Sequence, residues 1–110
     1  MEDKKTNTSA FSRTELSLLL YFETGVVDYG GLVEAVRMND EDFRIAKDWN
    51  EKGFVTFKRI PAKDLVSSTP HKFSHFVLLS ENAWIVAHKA RRERAVRVQR
   101  YDQDKNLIKH

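Results

Sequence analysis

The sequence predicts an α+β domain in which helices come first, two strands follow, and a long helix closes the chain. Three observations predict it. Apolar residues recur at helical spacing between residues 11 and 52, and from Phe54 the period changes to two. Start signals stand at Ser12, Asn39 and Ser80. A chain of 110 residues is one domain's length and should bury roughly two thirds of the surface it exposes when unfolded. The organisation expected is a polar tail over 1–10, a folded unit over 11–101 and a second tail over 102–110.

Ser12-Arg13-Thr14-Glu15 reads as a capping box, the hydroxyl accepting from the Glu15 amide while the carboxylate reaches back. The helix it starts should run to about Thr24 and stop at Gly25, a residue suited to the left-handed C′ position. Leu16, Leu18, Leu19, Leu20, Tyr21 and Phe22 cover nearly every direction of its wheel. Such a helix is buried on most sides, in part by a second subunit. Val26-Val27 reads as an extended link, and Asp28 as the start of a brief helix over 31–37. Asn39 opens a third helix, with Asp40, Glu41 and Asp42 favourable against its positive end. It should end near Lys52 with Gly53 at C′. Its apolar arc is Phe43, Ile45, Ala46 and Trp49; its solvent arc is Asp40, Arg44, Lys47, Asp48 and Glu51.

Beyond Phe54, Val55 and Phe57 alternate with Thr56 and Lys58, and a second strand is expected over 71–79. The connection from Ile60 to Pro70, about 11 residues, is longer than a hairpin needs. Ser80 and Glu81 start the last helix, expected to reach Tyr101, with a stripe of Ala83, Ala87, Ala90 and Val98 and with Trp84 beside it.

Composition excludes several functions. Without cysteine there are no disulfides, thiolate nucleophiles or cysteine-held metals. No apolar run approaches the roughly 20 residues of a membrane helix, and the first ten residues lack a signal-peptide core. A cytoplasmic protein is expected. His71 and His75 would lie about 13 Å apart on one strand, too far for a shared metal. Gly25, Gly30 and Gly31 match no phosphate loop or dinucleotide fingerprint. Asp64, Ser67, Ser68 and His71 form no catalytic motif. No enzyme, metal or cofactor is implied, and Trp49 and Trp84 are expected in the core.

Charge is uneven. Residues 1–53 carry 7 Lys/Arg against 11 Asp/Glu, and residues 54–110 carry 12 against 5. A basic half behind an acidic one fits a surface that meets a polyanion, or a solvated arginine-rich helix.

Helices joined by a tight turn, with a strand pair alongside, have the geometry of a helix-turn-helix reader carrying a wing. In this order the chain resembles the winged helix-turn-helix regulators, most closely those related to the MarR family. The resemblance runs from about Phe11 to Val98. It rests on residues 32–39 leading into 43–49, on the glycine-ended 50–55, and on the strand-to-helix junction 77–84. Where that family usually has a glycine shortly after the strand's end, Asn82 and Ala83 stand.

The resemblance implies double-stranded DNA binding by a homodimer, as a transcriptional regulator. Arg44 and Lys47 of the third helix would face base edges or phosphates. Lys58, Arg59, Lys63 and Lys72 would hold backbone from the wing. Asp40, Asp48 and Glu51 outnumber Arg44 and Lys47 on the third helix, which favours the alternative of a winged helix that docks on protein; a non-specific architectural DNA binder is a further alternative. In the closing helix, Arg91, Arg92, Arg94 and Arg97 are either solvated or contacts to backbone or partner. Dimerisation is expected through the first and last helices. No residue points to an effector, and the target site and direction of regulation are not encoded legibly.

Overall fold

The computed structural model describes residues 7–64 and 72–109, with residues 62 and 100–109 described by backbone alone. Helix α1 spans Arg13–Tyr29, β1 Leu32–Val33, α2 Asp40–Lys52, β2 Val55–Arg59, β3 His75–Leu79 and α3 Glu81–Lys109. Single 3-10 turns lie at Thr8–Ala10, Ala35–Arg37 and Ala62–Asp64. The fold is therefore α+β, with three α-helices and a small antiparallel sheet among the described residues.

Helix α1 starts as its sequence predicts. Ser12 Oγ accepts from the Glu15 amide at 3.1 Å and Glu15 Oε1 accepts from the Ser12 amide at 2.8 Å. Its end differs from the expected stop at Gly25. The helix continues through Val26 and Val27 to Tyr29, and Gly30 caps it at φ 63°. Gly25 is buried in mid-helix because β1 passes directly over it. A Cβ there would lie 2.8 Å from Val33 Cγ1 and 3.1 Å from the Leu32 carbonyl oxygen. The glycine serves a close crossing rather than a helix end.

The brief helix expected over 31–37 is likewise replaced, by β1 and one 3-10 turn. Its backbone groups bond across space instead of along a helix. Val77 N donates to the Gly31 carbonyl at 2.8 Å and Ser74 N to that of Val33 at 3.1 Å. Gly31 (φ 98°) makes this possible, since a side chain there would strike the Val77 carbonyl. The sheet thus has three strands rather than the two expected, in the order β1–β3–β2. Leu32 faces Phe76, while Val55, Phe57 and Arg59 face Leu79, Val77 and His75.

Helix α2 matches its prediction at both ends. Asn39 Oδ1 accepts from the Asp42 amide at 2.8 Å, the Asp42 carboxylate returns the bond at 3.1 Å, and Gly53 terminates the helix. Ala46 and Trp49 are buried, with Phe43 and Ile45 packed beside them. The core forms where α1, α2 and the sheet meet. Phe22 stacks on Phe57 with centroids 5.6 Å apart and meets Trp49 edge-on at 6.4 Å.

In α3 the buried line is Ala83, Val86, Ala87 and Ala90, and Ser80 Oγ accepts from the Ala83 amide at 3.1 Å. Two expectations fail here. Trp84, expected in the core, is 38% exposed because it lies about 100° round the helix from Ala83. Val98, expected on the buried stripe, is 54% exposed because every residue from Arg91 to Gln99 is exposed. By that point the helix has left the body.

The tails also differ from expectation. With no glycine or proline after Ser80, α3 continues past Tyr101 to Lys109, a length of about 43 Å. Thr8–Ala10 form a turn capped by Asn7, and Thr8 Oγ1 donates to the Glu93 carboxylate at 2.9 Å. The expected tail over residues 1–6 lies outside the described residues. No described helix is long and apolar enough to cross a membrane.

Replacing glycine by alanine inside a helix ordinarily stabilises it by about 1 kcal/mol. Gly25→Ala should do the opposite, destabilising by about 1–3 kcal/mol in urea unfolding because Val33 and β1 must shift. A stabilised variant would contradict the tight crossing.

Candidate nucleic-acid interface

The solvent arc of α2 is arranged as its spacing predicts. Asp40, Arg44, Lys47, Asp48 and Glu51 are all exposed. Together with Phe43 they line a shallow depression of about 430 Å³. Lys52 Nζ lies 2.8 Å from the Asp48 carboxylate, and that bond pushes the Lys52 ammonium above its ordinary value. Counting Lys52, three cations now match the three acids of this arc. Arg44 and Lys47 occur in none of the side-chain bonds of the described residues.

The face of the sheet towards α2 is fixed by aromatic contacts. His75 stacks on Phe57 with centroids 4.9 Å apart and 9° between planes, and Phe43 meets both rings edge-on at 6.0 and 6.1 Å. Arg59 lies directly across from His75, so it stands on this face, next to α2. Lys58 pairs with Phe76 and points to the opposite face. The structure therefore parts Lys58 from Arg59. Lys63 is exposed in the turn after β2, and Lys72 is exposed on the approach to β3. Of the expected wing loop, residues 65–71 lie outside the described residues.

A network missed by the sequence reading ties α1, the 3-10 turn before α2 and the approach to β3. Tyr21 Oη accepts from the Glu34 amide at 2.9 Å and donates to the Glu34 carbonyl at 3.2 Å. Burial pushes the Tyr21 phenol up, which keeps the proton needed for the second bond. The Glu34 carboxylate accepts from Arg37 Nε at 2.9 Å and from the Lys72 amide at 3.0 Å. Ser74 Oγ accepts from the Ala35 amide at 3.1 Å and bonds His75 Nδ1 at 2.9 Å. A tyrosine within an otherwise apolar helical run is the only local signal of this network.

Asn50, also unremarked in the sequence, accepts from the Phe57 amide at 2.9 Å and holds α2 to the edge strand β2.

On α3 the structure assigns Arg91 a different task from the backbone or partner contact expected. Its Nε donates to the buried Glu23 carboxylate, and its Nη2 donates to the Leu20 carbonyl at 3.3 Å and Thr24 Oγ1 at 3.2 Å. The residue stitches α3 to α1 and is spent there. Arg92, Arg94 and Arg97 are exposed. No group of three potential metal ligands occurs among the described residues. Comparison with family models, with characterised proteins and with solved structures yields no match to this chain. Geometry and charge carry the functional reading.

Two outcomes follow from these contacts. Arg91→Ala strands the Glu23 carboxylate. Because the Arg91 side chain is itself 47% exposed, the loss should be about 1–2 kcal/mol rather than that of a fully buried pair. Adding Glu23→Gln should recover part of that loss in urea unfolding; no recovery would place the cost elsewhere.

His75 is pushed below its ordinary value by burial first and by the Arg59 charge second. Between that lowered value and about 6.5 the unfolded chain binds more protons than the fold. Stability from this site is thus complete above about 6.5 and falls as pH drops through it. His75→Phe should flatten this part of the pH profile, and an unchanged profile would remove His75 as its source.

Proposed function

We propose that this chain is a winged-helix protein that binds double-stranded DNA as a homodimer and regulates transcription. In this reading α2 enters the major groove and the β2–β3 wing holds phosphate. One observation carries it: a helix capped at both ends presents outward Arg44 and Lys47, which have no partner among the described residues, and is seated against a three-stranded sheet that sets Arg59 beside it. The order of helices and strands, with β1 against β3, is compatible with a winged helix. The helix before α2 is then reduced to the turn Ala35–Arg37, pinned by Tyr21 and Ser74.

Arg44 is the candidate for base contact. Arg59, Lys63 and Lys72 are the candidates for phosphate, and Lys58 contributes from the other face of the wing. For the dimer, Leu18, Leu19, Leu20 and Phe22 of α1 are buried within the chain itself, which leaves Val27 and Tyr29 as its exposed large apolar residues. Trp84, Ile85, Val96 and Val98 are the exposed apolar residues that α3 would bring to such a contact. No catalysis is assigned to any residue.

The acids at Asp40, Asp48 and Glu51 favour a second reading, in which the same helix docks on a basic protein surface. Salt separates the two. DNA binding predicts a linear fall of log affinity with log salt between about 50 and 200 mM, and Arg59→Ala or Lys63→Ala should flatten the slope by about 1. Arg44→Ala should cost about 1–3 kcal/mol on the preferred duplex without changing the melt. Failure to bind duplex at the lowest salt would favour the protein partner.

A further inference from the structure

Helix α2 meets the core through rings and small apolar groups: Phe43, Ile45, Ala46 and Trp49. Such contacts hold a helix close without fixing its rotation, because apolar burial has no direction. One contact does have a direction. Asn50 Oδ1 accepts from the Phe57 amide at 2.9 Å. Among the described residues, no other hydrogen bond joins an α2 side chain to the sheet. Val77, which lies across from Phe57, turns its own amide to Gly31. The Phe57 amide therefore points out of the sheet at its outer strand, and Asn50 meets it there. The Phe57 ring stacks on both Phe22 and His75, which gives the bond a fixed anchor. Arg59 stands two residues further along the same strand, on the same face.

We propose that Asn50 is a positioning residue for duplex reading: its bond to Phe57 sets the rotation of α2 against β2, and with it the separation of Arg44 and Arg59. The assignment rests on the DNA reading given above. Arg44 lies six residues before Asn50, about 9 Å along the axis, on the exposed arc. The outer surface of a helix is about 5–6 Å from its axis, so a rotation of about 20° carries Arg44 about 2 Å. A two-pronged contact to one base is lost over such a distance. A phosphate contact carries no sequence information and re-forms on a neighbouring oxygen. Asn50 thus bears on sequence preference rather than on retention of DNA as such. It has no charge, so removing it leaves the number of phosphates neutralised unchanged.

The full chain is measured well below its melting temperature, on the duplex it selects and on a scrambled duplex of equal length. Asn50→Ala and the space-filling Asn50→Leu remove the acceptor; Asn50→Asp keeps an oxygen in its place. Preference for the selected duplex should fall about tenfold in both acceptor-less variants. Their salt slope on the scrambled duplex should equal that of the wild type. Asn50→Asp should restore the preference, since its added charge weakens both duplexes alike. Hydrogen exchange at the Phe57 amide, which needs no DNA, should quicken in the Ala and Leu variants and stay slow in Asn50→Asp. Preference kept in an acceptor-less variant, or lost in Asn50→Asp, would overturn the assignment alone. A wild-type chain with no preferred duplex would overturn the DNA reading, and this assignment with it.

Discussion

The fold hangs on one close crossing, that of β1 over the middle of α1 at Gly25. With no side chain at that point, Leu32 and Val33 lie against the helix, and Val33 joins the core. From there the sheet follows by hydrogen bonding. β1 pairs with β3, β3 with β2, and the rows of that ladder seat Phe57 on Phe22 and His75 beneath Phe43. Helix α2 is thereby fixed on two sides, by Trp49 against α1 and by Phe43 against the sheet. Its outer face is left free while its position relative to Arg59 is set. A larger residue at 25 would lift β1, and every later contact would inherit the displacement.

Signals that act within one turn were legible in the sequence. Ser12, Asn39, Gly53 and Ser80 each satisfy orphan backbone groups a few residues away, and each stands at the helix end its residue type predicts. Signals that depend on a distant partner were not. Gly25 has the same identity whether it ends a helix or admits a crossing strand, and the strand that decides lies in space rather than in its local pattern. Leu32-Val33 is too short to show a period, and its partner Phe76 is far along the chain. Trp84 next to an alanine stripe looks like core until the packing shows that Ala83, Val86 and Ala87 already fill that space.

The charges divide in the same way. Exposure of the α2 arc followed from helical spacing alone. The role of Arg91 did not, because Glu23 is 68 residues away in sequence and only the antiparallel packing of α1 on α3 brings the two together. Strand alternation already parts Lys58 from Arg59; only the rings of Phe43 and His75 tell which of the two stands beside α2. Local chemistry thus yields elements and faces, and long-range packing decides which charges are structural and which are available.

The central claim is that α2 reads duplex DNA in a dimer. Selection of the purified chain on a random duplex pool at about 150 mM salt, a concentration that suppresses weak backbone binding, tests it most directly. An enriched inverted repeat with half-site centres about 10 base pairs apart is the result predicted. Retention without any enriched sequence, or no retention at all, would contradict it.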